Sequence, residues 1–436
     1  MGQATQAKNS NNNLIKFILF SLVGIFMFFI PITIGGKSTI PIDHVVTGIR
    51  NSLPSLAPIY ALIVITIGGL YPFANKTWKK DRVTAVFSFL KLLGIIVAFM
   101  AYFKFGPQWL FEKDMVPFLF DKLVIPVGLI VPIGSIFLAF LVGYGLLEFI
   151  GVLMQPIMRP IWKTPGRSAI DAVASFVGSY SIGLLITNRV FKEGKYTIKE
   201  ACIIATGFST VSATFMIIVA KTLGLMEIWN IFFWTTLVIT FIVTAITVRI
   251  KPLSSKEDKY LSGEGEPEPQ LKGNILKSAI DEGLKAAAIS PSIGKNIIDN
   301  LKDGFVMAMG ILPSILSVGL LGLILAKYTP IFDIIGYIFY PFTLILRIPE
   351  PMLAAKAMAV EIAEMFLPAL LVADAPLITK FVIGVISISS ILFFSASIPC
   401  ILSTEIPISI TEIIIIWIER TIITLLLVTP IALILF

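Results

Sequence analysis

The sequence predicts an all-α, polytopic membrane protein, and three observations carry that expectation. Of its 436 residues, 56% are hydrophobic and only 14% charged, where an average soluble domain has about 25% charged. The mean hydropathy is +0.93. Nine apolar stretches approach the roughly 20 residues that a helix needs to cross a hydrocarbon core of about 30 Å. So little charge could not keep a chain of this size in solution, which excludes a cytosolic enzyme or a nucleic-acid binder. The formal net charge of +7 accompanies the apolar stretches, as charged membrane-flanking loops would. Two cysteines, Cys202 and Cys400, and one histidine, His44, give no basis for a disulfide framework, a multi-cysteine metal site or histidine-based chemistry.

Residues 1–15 form a polar tail, and no small-residue cleavage site follows the first apolar run, so the N-terminus does not read as a secretory signal. Residues 16–123 hold three leading spans, at 17–34, 56–73 and 83–103. A first repeat, 124–250, holds spans at 124–150, 200–223 and 228–248. Residues 251–303 form a charged linker, and a second repeat, 304–436, holds spans at 305–326, 376–400 and 407–436. Short loops rich in Lys and Arg mark the cytoplasmic side. They are Lys76 to Arg82, Arg159 to Arg167, Arg189 to Lys199, and Arg249 with Lys251. All fall on one side, with the N-terminus cytoplasmic, if residues 168–188 enter and leave by the same face. That stretch carries Asp171, Ser175, Gly178, Ser179, Ser181, Gly183 and Asn188, poor material for a lipid-facing span. A re-entrant helical hairpin fits, since irregular backbone at membrane depth must be buried in protein or line a watery cavity.

The linker contains eight lysines and nine acids. Its run Gly263-Glu264-Gly265-Glu266-Pro267-Glu268-Pro269 has the composition of a disordered segment, and residues 274–303 read as an amphipathic cytoplasmic helix. Ile150-Gly151 to Pro156 lies 185 positions before Ile335-Gly336 to Pro341, and the same offset pairs Ala169, Ala172 and Ala174 with Ala354, Ala357 and Ala359. By that match residues 349–373, with Glu361, Glu364 and Pro368, form a second hairpin. Each repeat then crosses an odd number of times, so the second is inverted. The expected architecture is about nine transmembrane helices plus two re-entrant hairpins in an inverted repeat, as in secondary transporters.

Two segments carry a resemblance. Asp171-Ala172-Val173-Ala174-Ser175-Phe176-Val177-Gly178-Ser179-Tyr180-Ser181, followed by Phe208-Ser209-Thr210-Val211-Ser212-Ala213-Thr214, resembles the nucleoside-recognition or Gate domain of concentrative nucleoside transporters, the ferrous-iron transporter FeoB and spore-maturation membrane proteins. Three leading spans and a charged mid-chain linker look most like the YjiH family. Gly336-Tyr337-Ile338-Phe339-Tyr340-Pro341 and Phe394-Ser395-Ala396-Ser397-Ile398 resemble the second half of the nucleoside transporters. The resemblance implies a nucleoside-transporter-like fold with a solute held between hairpin tips and unwound helices. The implied substrate contacts are Gly178, Ser179, Tyr180, Ser181, Glu364, Phe366, Ser395 and Ser397, and the ion-coupling group is Ser209, Thr210, Ser212 and Glu361. The first tip lacks the amide and acid with which the nucleoside transporters contact the base. The second keeps Glu364-Met365-Phe366 but no Asn, so nucleoside specificity stays open.

The residues also speak without the family. Glu361 and Glu364 stand at i, i+3, on one face if that stretch is helical. An intramembrane acid costs about 2.5–3.5 kcal/mol on insertion scales and marks a functional site by default. The null for either acid is an ion pair with Lys356 or snorkelling to the interface. Ser209, Thr210, Ser212 and Thr214, beside Gly207, suit either Na⁺ coordination at an unwound helix or ordinary interhelical hydrogen bonding. Ser387, Ser389, Ser390, Ser395 and Ser397 carry the same two readings. Glu419 and Arg420 read as structural pairs near one interface, and His44 as solvated in an outer loop.

With no nucleophile–base pair and no Walker-type loop, an enzyme is not expected. The expected function is secondary-active transport of a small polar solute, a nucleoside or something similar, across the plasma membrane. It needs no cofactor beyond a coupling Na⁺ or H⁺. The alternative is a Gate-domain subunit of a larger membrane assembly, without transport of its own. The expected partners are the solute and the bilayer, not nucleic acid, with a homo-oligomer or a second small Gate-domain protein as the protein partners.

Overall fold

The computed structural model describes residues 2–30, 32–79, 82–113, 115–177, 179–268 and 274–436. Helix α1 (Gly2–Phe29) runs from the polar N-terminal residues into the first apolar stretch. A short antiparallel pair follows, β1 (Ile32–Ile34) against β2 (Lys37–Thr39), with Ile32 opposite Thr39. Gly35 and Gly36 turn it at φ of 59° and 78°, values that a side chain would resist. Helix α2 (Pro41–Ser52) opens on proline, with Asp43 in its first turn and Arg50 in its last, charges placed to suit the helix dipole. His44 lies on this helix rather than in a solvated loop, and its Nε2 donates to the Ile32 carbonyl at 2.8 Å. The spans α3 (Leu56–Ala74) and α4 (Arg82–Phe103) complete the leading part.

A π-helical turn, Phe118–Val124, leads into α5 (Ile125–Val142), and α6 (Leu146–Trp162) follows. The span expected at 124–150 therefore breaks early. Gly145, at φ 97°, is the reason: a Cβ there would lie 2.1 Å from the Gly283 carbonyl oxygen of the linker. Next comes a hairpin of α7 (Ser168–Val177) and α8 (Tyr180–Lys192). Ten residues of helix rise about 15 Å, half the hydrocarbon thickness, so α7 cannot span. Helix α9 (Ile198–Gly207) unwinds through residues 208–212 and resumes as α10 (Ala213–Thr222). The Thr244 hydroxyl stops α9 by donating to the Gly207 carbonyl at 2.9 Å, and Ser212 caps α10 by accepting from Phe215 N at 3.3 Å. Helix α11 (Trp229–Thr247) closes the first repeat.

The linker departs from expectation twice. Residues 257–268 do not dangle but run as a strap across the first repeat. Lys199 N donates to the Glu257 carbonyl at 3.1 Å, Ile198 N to Lys259 at 2.8 Å, and Glu266 N to the Gly194 carbonyl at 2.8 Å. The amphipathic helix expected over 274–303 is two helices. The first, α12 (Ile275–Ile289), is capped by Asn274 and ends at Ser290-Pro291; the second, α13 (Ile293–Tyr328), already carries Lys295 to Asp303 in its first turns. At 36 residues α13 is about 54 Å long, enough to cross the bilayer and project beyond it. The second repeat continues with α14 (Ile331–Ile345), the hairpin α15 (Pro351–Val360) and α16 (Leu367–Leu371), the broken pair α17 (Leu377–Ser389) and α18 (Ser397–Leu402), and α19 (Ile410–Leu435).

One unit is thus used twice. A span, an amphipathic helix, a hairpin, a broken helix and a final span recur in the same order on either side of the linker. Each unit offers three segments for crossing, the odd number that an inverted repeat needs. The contacts are reciprocal, as an approximate two-fold requires: α8 packs on α18, and α10 packs on α16. Six unbroken helices among the described residues are long and apolar enough to span. The other expected spans are the apolar part of α1 and the two broken helices. The leading helices meet α13 backbone to backbone: a Cβ on Gly68 would lie 1.9 Å from the Met309 carbonyl oxygen, and one on Gly94 2.1 Å from that of Pro313. Exposed Ile63, Ile67 and Leu70 on α3, and Trp234, Val238 and Ile242 on α11, follow helical spacing and form lipid-facing stripes.

Candidate functional site

The two hairpin tips and the two unwound segments meet inside the protein. At the first tip, Ser179 caps α8: its Oγ accepts from Ile182 N at 3.4 Å and shares a hydrogen bond with Ser181 Oγ at 2.9 Å. Gly178 lies outside the described residues. The buried Tyr180 ring sits edge-on to Phe393 of the second unwound segment, with centroids 5.8 Å apart. Its hydroxyl has no partner among the described residues. Behind it, Gly183 lets the arms close, since a Cβ there would meet Ser175 Oγ at 1.7 Å. At the hairpin base, buried Asp171 accepts from Thr187 Oγ1 and Tyr196 Oη, both at 2.6 Å. In the first unwound segment the hydroxyls of Ser209 and Thr210 are buried without partners among the described residues, whereas Ser212 is occupied as a helix cap.

The second tip spans residues 361–366. The stretch is not regular helix, so the helical i, i+3 relation expected for Glu361 and Glu364 does not hold. Glu361 is fully buried, and its Oε2 accepts from Trp417 Nε1 while its Oε1 has no partner among the described residues. Glu364 Oε2 caps α16, accepting from Phe366 N at 2.6 Å and Leu367 N at 3.1 Å. Neither acid pairs with Lys356, which binds Asp333 at 2.6 Å. The Phe366 ring meets Phe215 of α10 at 6.0 Å. Two backbone bonds fasten this tip to the second unwound segment: Phe394 N to the Ile362 carbonyl at 2.6 Å, and Ser395 N to Ala363 at 2.9 Å. Ser395 Oγ is buried and unpartnered among the described residues, whereas Ser397 Oγ is spent inside the segment on Phe393 N and the Ile391 carbonyl. Ile391 takes φ 68°, a strained value for a β-branched residue, and it stands where α17 unwinds.

The hydroxyls of Ser387, Ser389 and Ser390 serve packing: they bond Gly384, Thr424, and Ile386 with Thr421, respectively. Arg420 departs most from expectation. It makes no pair with Glu419 but lies fully buried, donating from Nε and Nη2 to the Ser389 carbonyl at 3.0 and 2.7 Å and from Nη1 to Thr244 Oγ1 at 2.9 Å. Glu361 lies within electrostatic reach of both Arg420 and Glu364. Trp417 and Arg420 sit three residues apart on α19, so one helix face supports both the acid and the helix break. Only the charge of Arg420 in an apolar span marked it in the sequence.

Around the second tip thus lie the Tyr180 and Phe366 rings, the Ser395 hydroxyl and two carboxylates, while the Ser209 and Thr210 hydroxyls belong to the first unwound segment. Unpartnered buried polar atoms are costly, about 1–3 kcal/mol each. Hydroxyls and freed carbonyls suit a hard cation or a polyhydroxylated solute. Among the described residues no cluster of three or more His, Cys, Asp or Glu could hold a metal.

The family described as Gate, nucleoside recognition, matches residues 124–226, from α5 to just beyond α10. The chain is 32% identical over 443 residues to the uncharacterized protein BpOF4_10220 of Alkalihalophilus pseudofirmus, covering 95% of this chain and 93% of that one. It is 33% identical over 61 residues to the sporulation integral membrane protein YlbJ of Bacillus subtilis, 14% of this chain and 15% of that one. Among solved structures, a substituted variant of CNTnw in an outward-facing state aligns at 12% identity and a TM-score of 0.45, over 95% of this chain and 99% of that one.

Proposed function

The chain belongs to the same family as BpOF4_10220 and carries a Gate domain, and from that premise we propose a secondary-active transporter of a small polar solute. The solute is of the nucleoside or nucleoside-like class, and Na⁺ or H⁺ drives it across the plasma membrane, with the N-terminus cytoplasmic. One observation carries the reading: the first hairpin tip closes on the unwound segment of the second repeat, and the second tip, bonded to that same segment, meets α10 of the first repeat, around buried polar atoms without partners among the described residues. Tyr180 offers a ring to stack a planar group and a hydroxyl to orient it. Ser395 and the second oxygen of Glu364 offer acceptors for solute hydroxyls, and Phe366 walls the far side. The first unwound segment, with Ser209 and Thr210, presents oxygen ligands for a cation; Glu361 presents a carboxylate for a proton. Every one of these polar side chains is buried, so entry requires a hairpin to part from its opposing break. Inverted repeats supply two such partings, one towards each side.

The test is a thermal-shift screen of the purified protein against nucleosides, nucleobases, amino acids, dipeptides and amines, each with and without Na⁺. The expected result is a solute-dependent stabilisation that Glu364→Gln abolishes; the glutamine keeps an oxygen for the α16 cap, so its fold survives. Silence across the panel from a folded protein would overturn the reading in favour of a Gate-domain subunit that needs a partner.

A further inference from the structure

A second cavity lies far from the hairpin tips, at the base of hairpin one. It encloses about 550 Å³ between the strap, α12, the α5–α6 joint and the first turn of α13, within the usual range of small-molecule sites, about 300–1,000 Å³. Four basic side chains line it: Arg167, Arg189, Lys195 and Lys285. Three of them have partners. Arg189 binds Glu193 and Asp303, both at 2.7 Å; Lys195 binds Glu148 at 2.7 Å; Lys285 binds Glu282 at 2.6 Å. Burial pulls the Lys195 ammonium down, but Glu148 and Glu193 more than offset it and hold it above its ordinary value, with Arg167 as the opposing like charge.

Arg167 is different. It is 3% exposed, and among the described residues no hydrogen bond or ion pair reaches its guanidinium; Nε and Nη1 are both buried and unpartnered. A buried cation without a hydrogen-bonded partner is strongly destabilising, and a guanidinium has up to five donors to satisfy. Glu266 lines the same cavity but is exposed. Opposite in character, Glu148 keeps one buried oxygen, Oε2, without a partner while its other oxygen holds Lys195. The cavity therefore presents a buried cation and a buried acceptor, both unsatisfied.

We propose that this cavity is a cytoplasmic binding site for a soluble phosphate ester, with Arg167 receiving the phosphate. The guanidinium matches phosphate geometry, and a hydroxyl beside the phosphate satisfies Glu148. Bound there, the ester touches hairpin one, the strap and α12 together, so its occupancy ties the linker to a moving part of the proposed transporter. The proposal stands apart from the solute site and is read by binding, not transport.

The experiment is calorimetric titration of the full-length protein in detergent with glucose 6-phosphate and inorganic phosphate, against glucose and chloride at matched ionic strength. Both phosphates should bind, and glucose and chloride should not. Arg167→Lys, which keeps the charge and loses the fork, should weaken both by at least about ten-fold. Lys285→Ala changes a side chain that is 71% exposed and leaves folding untouched, and it should weaken them about three-fold. Tyr180→Phe should leave them unchanged, which separates this site from the solute site. No phosphate-selective binding, equal binding of glucose, or full affinity in Arg167→Lys would overturn the proposal. So would competition by phosphatidylglycerol nanodiscs but not phosphatidylcholine ones, which would assign the cavity to a lipid headgroup.

Discussion

Replacing Glu268 by alanine should free the strap from the base of hairpin one. The Glu268 carboxylate accepts from Gly166 N at 2.6 Å and from Arg159 Nε at 2.9 Å, and its side chain is 2% exposed. Alanine leaves the Gly166 N–H without its partner, at a cost of about 1–3 kcal/mol. The ion pair adds less, about 0.5 kcal/mol, because the Arg159 side chain is 40% exposed and still holds Glu200 at 2.5 Å. Together these shift the docking equilibrium by about 2.5 kcal/mol, or roughly 70-fold. Limited trypsin digestion of the folded protein at Lys259 reads that shift. The Lys259 carbonyl accepts from Ile198 N at 2.8 Å, so the chain must lift before a protease can engage it. When reclosing outpaces cleavage, the rate follows the open population. Glu268→Gln retains an acceptor for Gly166 and loses only the ion pair, so it should raise the rate by about two-fold. If alanine raises it by less than about three-fold, the strap is not held by this carboxylate and the argument fails.

Two further predictions follow from the packing. Tyr180→Phe removes a hydroxyl that has no partner among the described residues, so thermal unfolding should move by less than about 1 kcal/mol while solute affinity falls at least about ten-fold; a large loss of stability would show that the hydroxyl has a partner in the protein. Gly94→Val should destabilise by about 2–3 kcal/mol or more in the same unfolding assay, since its Cβ would sit 2.1 Å from the Pro313 carbonyl oxygen; an unchanged transition would mean that α4 does not pack against α13 as described.

The parts that the sequence made legible are those that depend on local chemistry. Hairpin one follows from small polar residues between two basic loops, and both helix breaks fall where Ser and Thr cluster. The misreadings have physical causes. Adjacency in sequence suggests structural pairs for Glu419 and Arg420, yet neighbours on a helix point about 100° apart and do not face each other. The strap looked disordered because its composition offers little apolar surface, but backbone bonds and Glu268 dock it, and composition cannot register those. The early end of α5 was signalled by Gly143 and Gly145. What required it, the backbone of α12 pressed against Gly145, is a contact distant in sequence. Arg167 had a similar blind spot: in the sequence it is one of several cytoplasmic cations, and only the fold shows that, of the cavity's four bases, it has no ion-pair partner among the described residues.

Arg420 bears on which parts can move. Helices α9 and α17 each end at the membrane interior and leave carbonyls to satisfy. Thr244 donates to the Gly207 carbonyl that ends α9, Arg420 donates to Thr244, and the same guanidinium donates twice to the Ser389 carbonyl that ends α17. One chain of hydrogen bonds therefore joins the two broken ends through the final span of each repeat. Separating the breaks would strand a buried guanidinium, which costs far more than parting two rings. The contact between Tyr180 and Phe393, by contrast, is an edge-on pair worth about 0.5–1.5 kcal/mol beyond its burial. The breaks and their supporting spans α11 and α19 are thus fastened as one body. The weaker seam runs between that body and hairpin one, where the buried Tyr180 hydroxyl has no partner among the described residues.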